Sequence, residues 1–162
     1  TGMNTLTIDY RNPRALWTTI GFIVLVVVVG GLIGISAIPD AWYQALRKAP
    51  WNPPNWVFGP AWFTLYVLIG IAGARSFLRG PASASSVIWA VQMLLNWSWS
   101  PIWFRLHAIW PAFAVIVSIF ALIVAFIAVN WRTDRTASWL FVPYGLWVAF
   151  ASSLNLAVGL LN

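Results

Sequence analysis

The sequence has no cysteine, one histidine, two methionines and three acidic residues. Without cysteine the chain forms no disulfide, thiolate nucleophile or iron–sulfur cluster. His107 has no second histidine to share a metal with, which disfavours a metal site and a haem with a protein axial ligand. Asp9, Asp40 and Asp134 fall at or beyond the ends of apolar runs, so no acid inside a membrane relays protons. We therefore expect no conventional catalytic constellation, no resident cofactor and no proton-coupled pump.

Charge is also scarce, at 7% of residues against 61% apolar ones, whereas soluble domains carry about 25% charged residues. Five runs without charge, 15–39, 49–74, 80–104, 106–131 and 136–162, each reach the roughly 20 residues that a helix needs to cross a bilayer. Stretches such as "GFIVLVVVVG" lack the alternation of barrel strands. The runs predict an all-α integral membrane protein with five transmembrane helices in one bundle, at about 15–38, 56–79, 82–104, 107–130 and 136–161.

The domain plan follows from these runs. Residues 1–14 form an N-terminal tail, in which Thr1 and Gly2 before Met3 are typical of a cloning remnant, and 15–162 form one transmembrane domain with a lid loop at 39–55. The net charge of +6 reflects membrane orientation rather than nucleic-acid binding, because the basic residues flank the helices. Six arginines on one side against three basic residues on the other place the N-terminus in the cytoplasm if the protein lies in a bacterial inner membrane.

Small residues recur at four-residue spacing in several helices, namely Gly30 with Gly34, Gly70 with Ala74, and Ala82 with Ser86 and Ala90. Such spacing lets helices approach closely in lipid. It indicates either packing inside one bundle or a homodimer formed through the third helix.

Aromatic and amide side chains share faces on three helices. They are Trp62 and Tyr66 on the second, Gln92, Asn96, Trp99 and Trp103 on the third, and Tyr144, Trp147, Ala151 and Asn155 on the fifth. Because an unpaired amide in hydrocarbon costs several kcal/mol, these faces must look inward. They indicate either hydrogen bonds between helices or a pocket for a large, flat, apolar ligand.

The stretch "KAPWNPPNW", residues 48–56, contains three prolines and leads into the helix that carries Trp62. Proline fixes its own backbone and restricts the residue before it, so this segment is stiff. We interpret it as a semi-rigid lid over an inter-helix cavity, or as a stiff turn that only starts a helix.

The stretch "WYQALRKAPWNPPNWVFGPAWFTLYVLIGIA", which begins at Trp42, resembles the signature of the TspO/MBR family of tryptophan-rich sensory and translocator proteins. "LLNWSWSPIWF" and "VPYGLWVAFASSLNLAVGLLN" resemble the third and fifth helices of that family. The resemblance implies a five-helix bundle, frequently a homodimer, that binds porphyrins, sterols and synthetic isoquinoline or benzodiazepine ligands under its first loop.

Carried over by matching motifs, the ligand-binding residues would be Tyr43, Trp51, Trp62, Tyr66, Asn96, Trp99, Ser100, Trp147 and Ala151. A cholesterol pattern attributed to animal members needs a Lys or Arg soon after Tyr144, and this chain has none there.

The leading hypothesis is a membrane receptor or carrier that binds protoporphyrin IX without covalent attachment and regulates tetrapyrrole metabolism or a stress response. An enzyme-like alternative is light-dependent breakdown of the porphyrin, with Trp62 and Trp147 as photochemical residues. A sterol or lipid translocator is the second alternative. The resemblance also allows a bacterial outer membrane, although the long helical runs favour the inner one.

Overall fold

The computed structural model describes residues 7–162, and every regular element in that range is helical. The elements are α1 (Pro13–Ser36), α2 (Ala41–Ala45), α3 (Phe58–Arg79), α4 (Ala84–Ser100), α5 (Ile109–Asn130) and α6 (Arg135–Leu161), with a 3₁₀ turn at Asn55–Val57 and a π-helical turn at Pro101–Arg105. The prediction of an all-α membrane protein is confirmed. The suggestion that Thr1 and Gly2 are a cloning remnant concerns residues outside the described range.

Four of the helices, α1, α3 with its 3₁₀ turn, α5 and α6, are long and apolar enough to cross a membrane. The fifth long helix, α4, has 17 residues and would measure about 26 Å, less than the roughly 30 Å of a hydrocarbon core. The π-helical turn from Pro101 to Arg105 follows α4 without a gap and extends it. The chain is therefore an integral, multi-pass membrane protein.

Helix ends follow local chemistry rather than the limits of the apolar runs. α1 begins at Pro13, two residues before the predicted start, because Asn12 caps it by accepting a hydrogen bond from the Arg14 N–H. Ser83 and Asp134 cap α4 and α6 in the same way. The segment predicted as a lid loop, residues 39–55, contains the short helix α2; this segment is called the lid below.

The five long helices close into a ring in the spatial order α1, α3, α6, α5, α4. Helix α3 packs mainly on α1 and α6 rather than on its sequence neighbour α4. Between the helices lies a core in which the rings of Phe126 and Phe141 stack 3.9 Å apart and Tyr144 is fully buried. This core fills the half of the bundle remote from the lid.

An ionic cluster closes that remote half, here called the arginine end. Asp134 accepts hydrogen bonds from Arg75 Nε and Nη2, both at 2.9 Å, and Arg79 Nη1 lies 3.1 Å from Asp134 Oδ2. Burial alone would raise the pKa of Asp134, but the hydrogen bonds from Arg75 and the Ala137 N–H and the two arginine charges together lower it. The cluster ties α3 to the start of α6, and Tyr10 accepts a further bond from Arg75 Nη1 at 3.3 Å.

The small residues at four-residue spacing have two different surroundings. Gly30 and Gly70 lie at contacts between α1 and α3, where a Cβ on Gly70 would come 2.7 Å from Ile23 Cα. Ala82, just before α4, and Ala90, within it, are exposed. The glycines therefore serve packing within the bundle, and the homodimer through the third helix stays a prediction.

Candidate functional site

A cavity of about 560 Å³ occupies the lid half of the bundle, within the range of roughly 300–1,000 Å³ typical of small-molecule sites. All five long helices contribute to its wall, and the lid contributes Tyr43, Asn52 and Asn55. Its surface is mostly apolar and aromatic, with a few amides and hydroxyls. Such a wall suits a large apolar ligand that carries a small number of polar groups.

Eight of the nine predicted ligand-binding residues line this cavity: Tyr43, Trp62, Tyr66, Asn96, Trp99, Ser100, Trp147 and Ala151. The ninth, Trp51, is 55% exposed on the lid, and its indole N–H donates to Ser153 Oγ at 3.2 Å. The structure thus brings together side chains from the lid and from three helices. Whether they hold a ligand stays a prediction.

A buried hydrogen-bond chain forms the polar side of the cavity and joins α3, α4 and α6. Tyr66 donates to Asn96 Oδ1 at 3.3 Å, and Asn96 Nδ2 donates to the Tyr144 hydroxyl at 2.8 Å. Tyr144 in turn donates to Gln92 Oε1 at 2.8 Å. The amides therefore bond between helices, as one interpretation of the sequence requires, while Tyr66 and Asn96 also border the cavity. These hydrogen bonds hold the Tyr66 ring and the Asn96 amide in place.

Aromatic rings make up most of the remaining wall. Trp62 contacts Tyr66 at 5.5 Å between ring centroids and Trp147 edge-on at 6.4 Å. Across the cavity Trp99 stacks on Trp103 at 5.5 Å, and its N–H donates to Asn155 Oδ1 at 3.3 Å. The wall thus consists of aromatic rings set at different angles to one another.

The indole of Trp147 has a special position in this wall. Its Nε1–H is buried and has no hydrogen-bond partner in the described residues, unlike the N–H groups of Trp51, Trp89 and Trp99. A buried donor without an acceptor costs about 1–3 kcal/mol. An acceptor oxygen or nitrogen on a ligand within hydrogen-bond distance of this N–H would remove this cost.

The lid is fastened to the bundle by polar contacts at its start and in its middle. Asp40 caps α2 by accepting from the Tyr43 N–H at 3.0 Å, and the His107 Nε2 lies 2.9 Å from its second oxygen. His107 stacks on Trp42 with 4.2 Å between centroids and has a left-handed backbone with φ 52°. In the middle of the lid Arg47 exchanges two hydrogen bonds of 3.0 Å with the side chain of Asn162.

Ionisation favours this closed arrangement at neutral pH. The hydrogen bond from the Tyr43 N–H lowers the pKa of Asp40, and His107 lowers it further. Lys48 Nζ donates to the carbonyl oxygens of Tyr43 at 2.7 Å and Leu46 at 3.2 Å, which satisfies the C-terminal carbonyls of α2. Burial raises the pKa of the Tyr43 hydroxyl, so it stays neutral beside the cavity.

Sequence reasoning missed the contribution of α1 to the site. Gly30, Gly31 and Gly34 line the cavity, and Gly30 packs against the ring of Tyr66. The four-residue spacing of Gly30 and Gly34 predicts close packing and says nothing of a cavity. The available signal was the cluster of glycines in a helix otherwise rich in valine and isoleucine, because a helix without side chains along one strip leaves room for a ligand.

The family pattern that matches this chain and the relatives that resemble it point to the same family. The TspO/MBR family pattern matches residues 20–161. Protein CrtK of Rhodobacter capsulatus is 38% identical over 82% of this chain and 85% of its own. The tryptophan-rich sensory protein of Cereibacter sphaeroides is 35% identical over 76% and 78% of the two chains. The translocator protein of Ovis aries is 34% identical over 84% and 85%.

Proposed function

Since the chain belongs to the TspO/MBR family, we propose that it is a membrane receptor or carrier that binds porphyrins and other flat apolar ligands in the cavity under the lid. The family's members include proteins named for sensing and for translocation, which supports a membrane receptor or transporter role. Protoporphyrin IX is the ligand we propose.

The observation that carries the proposal is the composition of the cavity wall. Trp62, Tyr66 and Trp147 border one side with rings at different angles, and Trp99 and Trp103 border the other with stacked rings. A flat macrocycle gains dispersion and stacking energy against both sides at once.

Polar groups at the edges of the cavity supply orientation. The Trp147 N–H and the side chains of Asn52 and Asn55 offer donors to the oxygens of carboxylate groups or to ring nitrogens. Among the described residues, no carboxylate lines the cavity to repel the acidic groups of a porphyrin. The residues lining the cavity therefore match the chemistry of an apolar ring with anionic substituents.

A titration with protoporphyrin IX in the dark tests the proposal. The detergent-purified protein is titrated and its tryptophan fluorescence is followed, beside a Trp62→Phe, Trp147→Phe double variant. Two lost aromatic contacts of about 0.5–1.5 kcal/mol each should raise Kd at least fivefold.

The matched control is a Trp17→Phe, Trp139→Phe double variant, which also loses two indoles but from lipid-facing positions. It should bind like the unchanged protein. Linear quenching that is equal in all three proteins would mean that the porphyrin only enters the micelle, and it would refute the proposal.

The assembly proposed for this function is a homodimer in the lipid bilayer. The small residues Ala82, Ser86 and Ala90, at and near the start of α4, allow two copies to approach closely. The measurement is the mass of the protein in nanodiscs, in which an Ala90→Phe variant should shift the population to monomers. An unchanged dimer population in that variant would place the interface elsewhere.

A further inference from the structure

A second apolar recess lies on the outer, lipid-facing side of the bundle, between α3 and α6. It has a volume of about 420 Å³ and is lined chiefly by Pro60, Ala61, Thr64 and Leu68 of α3 and by Pro143 and Trp147 of α6. This recess is called the outer groove below. Because it faces the bilayer, the molecules that reach it are those dissolved in the membrane.

The outer groove and the inner cavity share one side chain, Trp147. Its indole packs between Phe58 at 5.9 Å, Trp62 at 6.4 Å and Phe150 at 5.7 Å, measured between ring centroids. Ring contacts of this kind contribute about 0.5–1.5 kcal/mol each. The indole therefore lies between the two spaces and is held there by contacts with other rings.

Two features make movement of this indole easy. The Trp147 N–H has no acceptor in the part of the chain that the structure describes, so no hydrogen bond there holds the ring in its orientation. Pro143, one turn earlier, lacks the N–H that would bond to the preceding turn, so α6 is weakened at the same height. Within residues 7–162, moreover, no hydrogen bond joins a side chain of α3 to one of α6 beside the groove; the hydroxyl of Tyr66 bonds to α4 instead.

The lid, by contrast, is held on the aqueous side by several polar contacts. They are the pair of Asp40 with His107, the two bonds between Arg47 and Asn162, and the bond from Trp51 to Ser153. An apolar ligand is also concentrated in the bilayer rather than in water. The route past Trp147 is thus both less firmly closed and closer to the ligand.

From this arrangement we infer that the outer groove is a docking site for flat apolar ligands dissolved in the bilayer, and that Trp147 is the gate through which they pass into the cavity. The inference rests on the proposed function. The inference places Thr64, Ala61 and Leu68 on the path by which the ligand reaches the cavity, although these residues do not line the cavity itself.

The test is a kinetic measurement in liposomes that contain the protein. Vesicles preloaded with protoporphyrin IX are mixed with protein-containing vesicles, and the association and dissociation rate constants are followed by porphyrin emission. A Thr64→Phe variant fills the groove from a lipid-exposed position, and Leu68→Phe fills it one turn further along. Val124→Phe, at a lipid-exposed position of α5, is the matched control.

Both rate constants should fall at least fivefold in Thr64→Phe and Leu68→Phe, with Kd within twofold of the unchanged protein, because a blocked path slows both directions. Val124→Phe should have no effect. Saturable binding with unchanged rate constants in the two groove variants would overturn the inference and leave the proposed function standing. Absence of saturable binding by the unchanged protein would overturn both.

Discussion

Replacing Gly30 by alanine tests whether this glycine of α1 sets the position of the Tyr66 ring in the cavity wall. Gly30 lies on the buried face of α1 against the ring of Tyr66, and a Cβ there would overlap the ring, with the Cζ atom at 2.7 Å and the Cδ2 atom at 2.9 Å. Carbon atoms in contact are about 3.5–4.0 Å apart. The Tyr66 ring must therefore move by about 1 Å.

That movement has two consequences, one for stability and one for binding. The bond from Tyr66 to Asn96 is already 3.3 Å long, so a shift of about 1 Å breaks it, and overpacking of this kind costs about 1–3 kcal/mol. Alanine returns up to about 1 kcal/mol because it favours the helix more than glycine does. The net loss of about 1 kcal/mol should lower Tm by a few degrees and, since Tyr66 lines the cavity, raise Kd for porphyrin about fivefold.

Gly31→Ala is the matched control, because Gly31 is the next residue, also lines the cavity, and has space for a Cβ with no other atom within 4 Å. It gains the same helix propensity without the clash. Thermal unfolding followed by near-UV circular dichroism and porphyrin titration are measured for both variants. If Gly30→Ala and Gly31→Ala have equal Tm and equal Kd, the argument that Gly30 positions the Tyr66 ring is refuted.

Two further predictions concern the two ends of the bundle. Asp134→Asn should lower the free energy of unfolding by about 3 kcal/mol, because it leaves the buried Arg75 and the partly buried Arg79 without their counter-charge; denaturation in sodium dodecyl sulfate measures this. At the lid, the pKa of Asp40 is lowered chiefly by the Tyr43 N–H, so the charge-assisted part of its capping of α2 is present above about pH 4 and is lost as the pH falls through the lowered value. Hydrogen exchange at α2 amides should therefore be slower than in Asp40→Asn at neutral pH and equal to it in strong acid.

The controls use residues from the same ends. Asp9→Asn removes an exposed carboxylate at the arginine end and should leave the unfolding energy unchanged. His107→Gln keeps a hydrogen-bond donor beside Asp40, so most of the α2 protection should remain. A loss in Asp9→Asn as large as in Asp134→Asn, or a protection of α2 that does not depend on pH, would contradict these assignments.

Much of the fold was predictable because a bilayer allows few solutions. A charge-free run of 20 or more residues has to be a helix in lipid, so the position of each long helix followed from the positions of the charged residues. The inward faces were predictable for the same reason. Asn96 and Tyr144 cannot leave their polar groups in hydrocarbon, and the structure pairs them with each other at 2.8 Å.

Other features depend on particular contacts, and short sequence patterns do not predict them. The π-helical turn after Ser100 and the short helix α2 depend on local backbone bonds, among them those that the Leu106 N–H donates to the Pro101 carbonyl and the Gln44 N–H to the Asp40 carbonyl. The pairing of Arg75 with Asp134 joins residues 59 positions apart. The role of Gly30 is evident only when α1 is placed against α3.

Among the residues that the structure describes, the cavity has a mouth but no outlet at its far end. Its lining includes Tyr66, Asn96 and Ile119, and beyond them the bundle is closed by buried rings such as Phe126 and Phe141 and then by the arginine cluster. In shape the molecule is a cup rather than a tube. A ligand that entered by way of the lid or the outer groove would have to leave through the same half of the membrane, and passage from one leaflet to the other would require this floor to open.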